Sequence, residues 1–257
     1  MSVFRLSAVS FFNTTPLVDG LREDPAVRLR FAVPSALIDD LISRESDVAL
    51  LPVIDYQRLP GLRVIPAGGI GCDGPTLTVR LFSKAPIEQT TTLAADTDSH
   101  TSVALARVIF DRVFGLRPPI VPLNEAKEDD TLLLIGDKVI TAAPADRPHQ
   151  LDLGEAWKKL TGLPFLFAVW TARGGIHLGD LPQRLSTARE RGLSRVDTLV
   201  RDFAVPRGWP ADIARRYLTE YLKFTVEPRQ LEAMRVFHRM AHEVGALESP
   251  PAELEII

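Results

Sequence analysis

A short apolar strand that runs through a polar turn directly into a helix dominates the middle of the chain. Residues 90–95 are β-branched or apolar, and from Val103 onward apolar residues recur at helical spacing. Units of this kind are typical of the α/β class, in which helices cover a largely parallel sheet. The turn between strand and helix contains four polar residues: Ser99, His100, Thr101 and Ser102.

These polar residues coincide with the start of the helix. The first N–H groups of a helix have no intrahelical partner, and the helix dipole is positive at that end. We expect Ser99 to cap the helix, and the hydroxyls of Thr101 and Ser102 to form an anion receptor together with backbone N–H groups. A well-capped helix without any ligand would show the same pattern, so this turn alone leaves both interpretations open.

Two further polar turns follow predicted strands. The segment 10–17 follows a strand at 3–9, and because Pro16 suits the first turn of a helix, Asn13 and Thr14 lie in another strand-to-helix turn. The apolar run 132–135 ends in Gly136 and Asp137, although Asp137 could equally cap a following turn. Polar residues at the carboxyl ends of strands in an open α/β sheet mark ligand sites, so three such turns favour a pocket.

Strands and helices alternate over the first 173 residues, and the remainder is predicted to be helical. The predicted strands are 3–9, 27–32, 47–52, 62–66, 76–82, 90–95, 119–123, 131–135 and 163–170. The predicted helices are 16–21, 34–43, 103–115, 152–160, 180–191, 194–203, 210–224 and 228–244. Asp152 and Asp180 are expected to cap their helices. The glycine-rich residues 68–74 are predicted to form a flexible loop, and the last residues a loose tail.

Six segments, in order, resemble the chorismate dehydratases of the futalosine route to menaquinone. They are Ser10-Phe-Phe-Asn-Thr-Thr-Pro-Leu17, Asp47-Val-Ala-Leu-Leu-Pro-Val-Ile-Asp-Tyr56, Thr78-Val-Arg-Leu-Phe-Ser-Lys84, Asp96-Thr-Asp-Ser-His-Thr-Ser-Val-Ala-Leu105, Leu133-Leu-Ile-Gly-Asp137 and residues 152–170. Thr78 stands where a Ser is usual in that family, and His100 where an Arg is common. The C-terminal third matches only as helices.

This resemblance implies an α/β chain with a two-lobed, type II periplasmic-binding-protein-like fold, mixed sheets and a ligand cleft between the lobes. Lobe 1 is expected to comprise residues 1–83 and 171–257, and lobe 2 residues 84–170. The implied activity is the dehydration of chorismate to 3-[(1-carboxyvinyl)oxy]benzoate, with no cofactor and no metal.

Asn13 is the predicted catalytic residue, expected to hold the enolpyruvyl carboxylate of the substrate while that carboxylate takes the proton. The two carboxylates and the allylic hydroxyl of chorismate call for hydrogen-bonding groups at more than one place. The predicted substrate-binding residues are Thr14, Thr78, Ser83, Ser99, His100, Thr101, Ser102, Gly136 and Asp137.

The net charge, the cysteine count and the distribution of apolar residues exclude several classes of function. A formal net charge of -3 and the absence of a basic run give no reason to expect nucleic acid as a partner. The single cysteine, Cys72, excludes an intrachain disulfide and is expected to be unreactive. Neither a signal peptide nor an apolar stretch of membrane-spanning length is present, so we expect a cytoplasmic protein without membrane association.

Several groups of histidine, arginine and aromatic side chains are better explained by a structural role than by a role in binding or catalysis. His238 and His242 are four residues apart on a predicted helix, but without a third ligand they indicate a solvated helix face rather than a metal site. The arginines at 184, 189, 191 and 195 alternate with acids and indicate a salt-bridged surface. Trp157, Trp170, Phe165 and Phe167 are expected in the core.

Two other functions fit the same motifs. A non-catalytic binding protein for an aromatic or dicarboxylic acid would use the same helix-end anion site, and fold alone does not distinguish it from an enzyme. The dihydroxynaphthoate synthase of the same route is similar in fold and also presents hydroxyls at a helix end.

Overall fold

The computed structural model describes residues 3–96 and 99–257, which form two mixed β-sheets with helices packed against them. In the first sheet, β1 (Phe4–Val9) pairs in parallel with β2 (Val27–Ala32) and β3 (Val48–Pro52). Every residue of β3 is buried, as expected for a strand covered on both faces. The other strands of this sheet are β4 (Arg63–Cys72), β10 (Phe165–Ala172), β11 (Leu222–Lys223) and β12 (Glu255–Ile256).

The order of the first sheet is β11-β4-β10-β3-β1-β2, with β12 paired to β4. The second sheet has the order β7-β6-β8-β5-β9. Its strands are β5 (Val79–Ser83), β6 (Leu93–Ala95), β7 (Ile120–Pro122), β8 (Thr131–Ile135) and β9 (His149–Asp152). Strand β6 runs parallel to β7 and β8, whereas β5 is antiparallel to β8 and β9.

Nine α-helices are found among the described residues: α1 (Thr15–Val18), α2 (Ala36–Ile42), α3 (His100–Ile109), α4 (Lys138–Thr141), α5 (Leu153–Thr161), α6 (Leu181–Ser194), α7 (Val196–Leu199), α8 (Ala211–Arg216) and α9 (Pro228–Glu243). Short 3-10 turns lie at Phe12–Thr14, Val53–Arg58, Ile87–Gln89, Leu123–Glu125 and Val205–Arg207. Helices α3, α7 and α8 each continue into a π-helical turn, at Phe110–Phe114, Val200–Ala204 and Tyr217–Tyr221. None of the helices formed by residues 3–96 and 99–257 has the length and apolar character needed to cross a bilayer.

The predicted flexible loop at residues 68–74 is wrong, because most of it belongs to β4 and is buried. The glycines are needed for close packing of β4 against β10. A Cβ atom on Gly69 would lie 2.7 Å from the Ala168 carbonyl oxygen, and one on Gly71 would lie 2.6 Å from that of Phe165. Cys72 ends this strand, where burial raises the pKa of its thiol and keeps it protonated.

The C-terminal end is also more ordered than predicted. Strand β12 pairs in parallel with Arg63 and Val64 of β4, and the Ala252 N–H donates to Gln57 Oε1 at 2.8 Å. The segment predicted as one helix at 210–224 instead divides into α8, the π-helical turn and β11, which pairs with β4.

The two predicted helix caps differ in outcome. Asp152 accepts hydrogen bonds from the N–H groups of Gly154 and Glu155 and caps α5. Asp180 makes no capping hydrogen bond at the start of α6, because its carboxylate pairs with Arg184 instead.

The division of strands between the sheets moves the predicted lobe boundaries. Strand β5 was assigned to lobe 1 but pairs with β8 and β9 in the second sheet, whereas β10 was assigned mainly to lobe 2 but pairs with β3 and β4 in the first. The chain therefore crosses between sheets at residues 73–78 and 162–164. From here on, lobe 1 denotes residues 3–72 with 165–257, and lobe 2 denotes residues 79–161.

Aromatic packing anchors the core where the lobes meet. Trp157 of α5 lies 5.2 Å from the ring of Phe165 and 5.9 Å from that of Phe237, in edge-on contacts, and its Nε1 donates to the Pro164 carbonyl. Trp170 is fully buried in the second large apolar cluster, beneath the C-terminal helices. The predicted core positions of Trp157, Phe165 and Trp170 are thus confirmed, while Phe167 is only half-buried.

Candidate functional site

A cavity lies between the two sheets, where residues of both lobes face each other. Its apolar wall is formed largely by side chains of the first sheet and the turn after β1, including Phe11, Leu50, Ile70 and Phe167. The polar groups of its lining are Asn13, Thr76, Thr78, Ser99, Thr101, Ser102 and Tyr217. An apolar wall with a few convergent polar groups is typical of a small-molecule site.

Asn13 reaches the cavity from the 3-10 turn that follows β1. Its Nδ2 donates a hydrogen bond to the Tyr217 hydroxyl at 3.3 Å, and its Oδ1 accepts one from Thr14 Oγ1 at 3.5 Å. Thr14 itself is buried and is not part of the cavity lining. Its hydroxyl therefore acts on the orientation of the Asn13 amide rather than on a ligand.

Tyr217 is a site residue that the sequence analysis did not find. It begins the π-helical turn Tyr217–Tyr221, and such turns are frequent at functional sites. Its hydroxyl lies 2.7 Å from Thr78 Oγ1, and its ring stacks on Trp209 at a centroid distance of 5.1 Å. Burial raises the pKa of the Tyr217 phenol above its ordinary value, so the group stays neutral.

The start of α3 provides the hydroxyl groups predicted there. Ser99, Thr101 and Ser102 all line the cavity, but Ser99 does not cap the helix as predicted. Its Oγ donates instead to Ser102 Oγ at 2.8 Å, while Thr101 Oγ1 accepts a hydrogen bond from the Ile54 N–H at 3.4 Å. The neighbouring residues Thr97 and Asp98 lie outside the described part of the chain. Because Ser99 makes no capping hydrogen bond, the described residues leave the first N–H groups of α3 to bind an anion.

The electrostatics of the cavity are unusual for a site that would receive an anion. Among residues 3–96 and 99–257, those that line it carry no ionised side chain. The positive potential available to an anion there comes from the N-terminus of α3 and from N–H and O–H dipoles. Such a site can bind and orient carboxylates, and the described lining residues include no strong base.

Ser83 is not brought to the cavity. Strand β5 begins at Val79, which lines the cavity, and Ser83 lies four residues further along, roughly 13 Å away at the usual rise of a strand. The Ser83 hydroxyl accepts a hydrogen bond from Thr131 Oγ1 at 3.2 Å. Thr131 is in turn bonded to Thr90, so the three hydroxyls satisfy each other in the core of lobe 2.

His100 also faces away from the cavity. Its Nδ1 lies 2.9 Å from both carboxylate oxygens of Asp55, which is fully buried and belongs to lobe 1. Because a carboxylate only accepts, the Nδ1–H donates. Arg58 Nε approaches the same carboxylate at 3.1 Å. His100 thus joins the two lobes beside the site.

Gly136 and Asp137 have different positions although they are adjacent. Gly136 lines the cavity with a φ of 60°, and its N–H donates to the Thr78 carbonyl at 2.8 Å. The Asp137 carboxylate is not in the lining; it accepts a hydrogen bond from Trp209 Nε1 at 2.9 Å. Asp137 therefore links lobe 2 to the C-terminal part of lobe 1.

Within the described part of the chain, no three His, Cys, Asp or Glu side chains come together in a way that would hold a metal ion. His238 was predicted on a solvated face, which is wrong, because it is 1% exposed. Its Nε2 donates to the Val53 carbonyl at 2.7 Å and its Nδ1 accepts from Gln57 Nε2 at 2.8 Å, so both ring nitrogens are used. The predicted salt-bridged arginine surface is confirmed by ion pairs of Arg191 and Arg195 with Asp19.

The sequence profile of a family described as menaquinone biosynthesis matches residues 4–243 of the chain. The chain belongs to this family. This member is 29% identical to the chorismate dehydratase of Thermus thermophilus, over 90% of this chain and 93% of the relative.

Solved structures place this member of the menaquinone biosynthesis family among binding-protein-like folds. A crystal structure of an Archaeoglobus fulgidus protein superimposes with a TM-score of 0.75 at 16% identity, covering 95% of this chain and 98% of that one. The periplasmic aliphatic sulphonate binding protein of Escherichia coli superimposes with a TM-score of 0.66 at 13% identity, covering 98% and 95%. These likenesses concern the fold alone, and they confirm the predicted periplasmic-binding-protein-like architecture.

Proposed function

We propose that the chain is a lyase that converts chorismate into 3-[(1-carboxyvinyl)oxy]benzoate and water. Membership of the menaquinone biosynthesis family and similarity to the dehydratase of Thermus thermophilus support this reaction. The observation that carries the proposal at the level of the site is that the described residues lining the cavity are all neutral. A reaction whose substrate supplies both the negative charge and the base needs a site of this kind.

Binding would use polar groups from two different elements of the cavity lining. One carboxylate of chorismate accepts hydrogen bonds from the hydroxyls of Thr101 and Ser102 and from N–H groups at the start of α3, while the Ser99 hydroxyl donates to Ser102. The other carboxylate, on the enolpyruvyl group, lies near Asn13, whose amide has one N–H beyond the one given to Tyr217. The apolar wall, including Phe167 and Ile70, covers the ring.

The reaction breaks one C–H bond and one C–O bond on adjacent carbons of the ring. The enolpyruvyl carboxylate takes the proton from the ring carbon that carries the ether oxygen, and the electron pair of that C–H bond forms the new ring double bond. The hydroxyl on the adjacent carbon leaves with its electron pair and receives the proton, giving water. Because the product ring is aromatic, orientation and stabilisation of developing charge are what the protein must add.

Asn13 is the residue we assign to the catalytic step, by holding the carboxylate that acts as base. Thr78, 2% exposed and facing the cavity, is placed to donate to the departing hydroxyl. His100 and Asp137 were part of the predicted site, but their side chains are engaged with Asp55 and Trp209. We therefore give them no role in contacting the substrate.

The test is incubation of the purified chain with chorismate, followed by ultraviolet absorbance and mass spectrometry. We expect conversion of chorismate to a product that is lighter by one water. Binding of chorismate without any conversion would instead favour a non-catalytic binding protein, which the same neutral cavity also suits. The name of the Thermus thermophilus relative favours the dehydratase over the dihydroxynaphthoate synthase.

A further inference from the structure

Tyr217 connects two residues that face the cavity from different elements. Asn13 Nδ2 lies 3.3 Å from the Tyr217 hydroxyl, and Thr78 Oγ1 lies 2.7 Å from it on the other side. Asn13 follows β1 in lobe 1, and Thr78 is in the crossing that leads to lobe 2. The phenol therefore spans the junction of the lobes at the site itself.

The hydrogen bonds around this phenol have a direction. The amide nitrogen of Asn13 can only donate, so the Tyr217 oxygen accepts from it. The phenol is a stronger acid than the hydroxyl of threonine, and hydrogen bonds in a chain strengthen one another when each group accepts once and donates once. Both arguments favour donation from Tyr217 to Thr78, which leaves the proton of the Thr78 hydroxyl for a group in the cavity.

The same arrangement fixes the orientation of the Asn13 amide. Nδ2 is directed to Tyr217, and Oδ1 is directed to the hydroxyl of Thr14. Without the Tyr217 hydroxyl, Asn13 Nδ2 would lose its hydrogen-bond acceptor, and the amide could turn so that its nitrogen and oxygen exchange places. The second N–H of Asn13 would then lose its fixed direction.

We propose that Tyr217 is a positioning residue of this site, which fixes the Asn13 amide and the Thr78 hydroxyl in the orientations that the substrate needs. The role rests on the proposed function, but the orientation of Asn13 can be measured without it. Two further features suit Tyr217 to this task. Its ring packs against Trp209 at 5.1 Å and Phe12 at 6.2 Å, and it is 1% exposed.

The chain offers a direct probe of the Asn13 amide, because its sequence contains only two asparagines, Asn13 and Asn124. Selective ¹⁵N-asparagine labelling therefore gives two side-chain amide pairs in a heteronuclear NMR spectrum. Asn124 is exposed and serves as an internal reference. Tyr56→Phe is the matched control, because Tyr56 is also buried and its hydroxyl also makes two hydrogen bonds, to Leu62 and Glu255, outside the cavity.

In Tyr217→Phe we expect the side-chain amide signals of Asn13 to move toward the values of a free amide, with those of Asn124 unchanged. Tyr56→Phe should leave both pairs in place. Asn13 signals that are the same in wild type and Tyr217→Phe would overturn the proposal. If the wild type leaves chorismate unchanged, the proposed function fails, whereas these spectra still decide the positioning role.

Kinetics then separate positioning from a general loss of structure. With active wild type, Tyr217→Phe should lower kcat by about 10²-fold, the scale on which misplaced groups cost rate, with a much smaller change in KM. Thr78→Val should also lower kcat, Thr78→Ser should restore most of it, and the double variant with Tyr217→Phe should lose less than the product of the two single effects. Full additivity, or a kcat for Tyr217→Phe equal to that of wild type, would contradict the role.

Discussion

The indole Nε1 of Trp209 donates a hydrogen bond to Asp137 Oδ1 at 2.9 Å, and this contact joins the C-terminal part of lobe 1 to the turn after β8 in lobe 2. Arg207 Nε approaches the same carboxylate at 3.9 Å. A second contact between the lobes joins His100 of lobe 2 to Asp55 of lobe 1. Polar side chains thus connect the two lobes at these two places.

The role of Asp137 can be tested by Asp137→Asn. The amide oxygen still accepts from Trp209, and the carboxylate does not line the cavity, so we expect turnover of chorismate within about threefold of wild type, as for a partly exposed polar contact. Trp209→Phe removes the donor and should raise KM more than Asp137→Asn does. Abolished turnover in Asp137→Asn with unchanged substrate binding would give Asp137 a chemical role instead.

His100 should matter for stability rather than for substrate binding. In His100→Gln the buried Asp55 carboxylate loses a well-aligned donor and keeps Arg58, so we expect the free energy of unfolding to fall by about 1–3 kcal/mol. Urea unfolding measures this, with His149→Gln as the control because His149 is exposed. A large rise in the dissociation constant for product, without loss of stability, would show that His100 faces the ligand.

Turnover should depend little on pH near neutrality. None of the described lining residues has an ionisable side chain except Tyr217, and burial raises the pKa of that phenol further above the ordinary tyrosine value. Since the carboxylates of the substrate are ionised as well, we expect a flat kcat between about pH 7 and pH 9. A bell-shaped profile within that interval would require a titrating acid or base that this account lacks.

His238 predicts a pH dependence of stability. Burial lowers the pKa of His238 to about 4 in the folded chain, against an ordinary value of about 6.5. The unfolded chain therefore binds the extra proton first as pH falls. The contribution of the neutral ring to the free energy of unfolding is complete above about pH 6.5. It is lost as the pH falls toward 4, and this loss is at most about 3 kcal/mol.

His238→Gln removes the titrating group and keeps a donor for the Val53 carbonyl. The loss of stability between pH 6.5 and pH 4 should be smaller in this variant than in wild type by up to that same amount, about 3 kcal/mol. His177→Gln is the control, since His177 is exposed. Equal slopes in wild type and His238→Gln would show that His238 does not titrate in this interval.

Several of the predicted site residues, which local sequence patterns indicated, line the cavity. Asn13 lies in the turn after β1, and Thr101 and Ser102 lie in the first turn of α3; the strands and helices on either side are visible in the periodicity of apolar residues. His100 lies between Ser99 and Thr101, which both line the cavity, but it points elsewhere, because consecutive residues of a helix are about 100° apart around its axis. Only a partner distant in the sequence, Asp55, decides where it points.

Tyr217 lines the cavity, but the sequence pattern did not indicate it. The sequence pattern predicts one helix from 210 to 224. The structure has a π-helical turn that begins at Tyr217, and this turn changes which side chains share a face of the helix. Its partners, Asn13 and Thr78, are 204 and 139 residues away. The glycines of β4 were misjudged for a similar reason, because the need for them arises from the carbonyl oxygens of β10.

The most direct test of the account compares Asn13→Ala with Asn124→Ala, the only other asparagine variant that the chain allows. For both, the kcat with chorismate and the dissociation constant of the product are measured. If Asn13 holds the carboxylate that acts as base, Asn13→Ala should lose about 10²-fold or more in kcat while product affinity falls much less, and Asn124→Ala should match wild type. A kcat of Asn13→Ala near that of wild type would contradict the account.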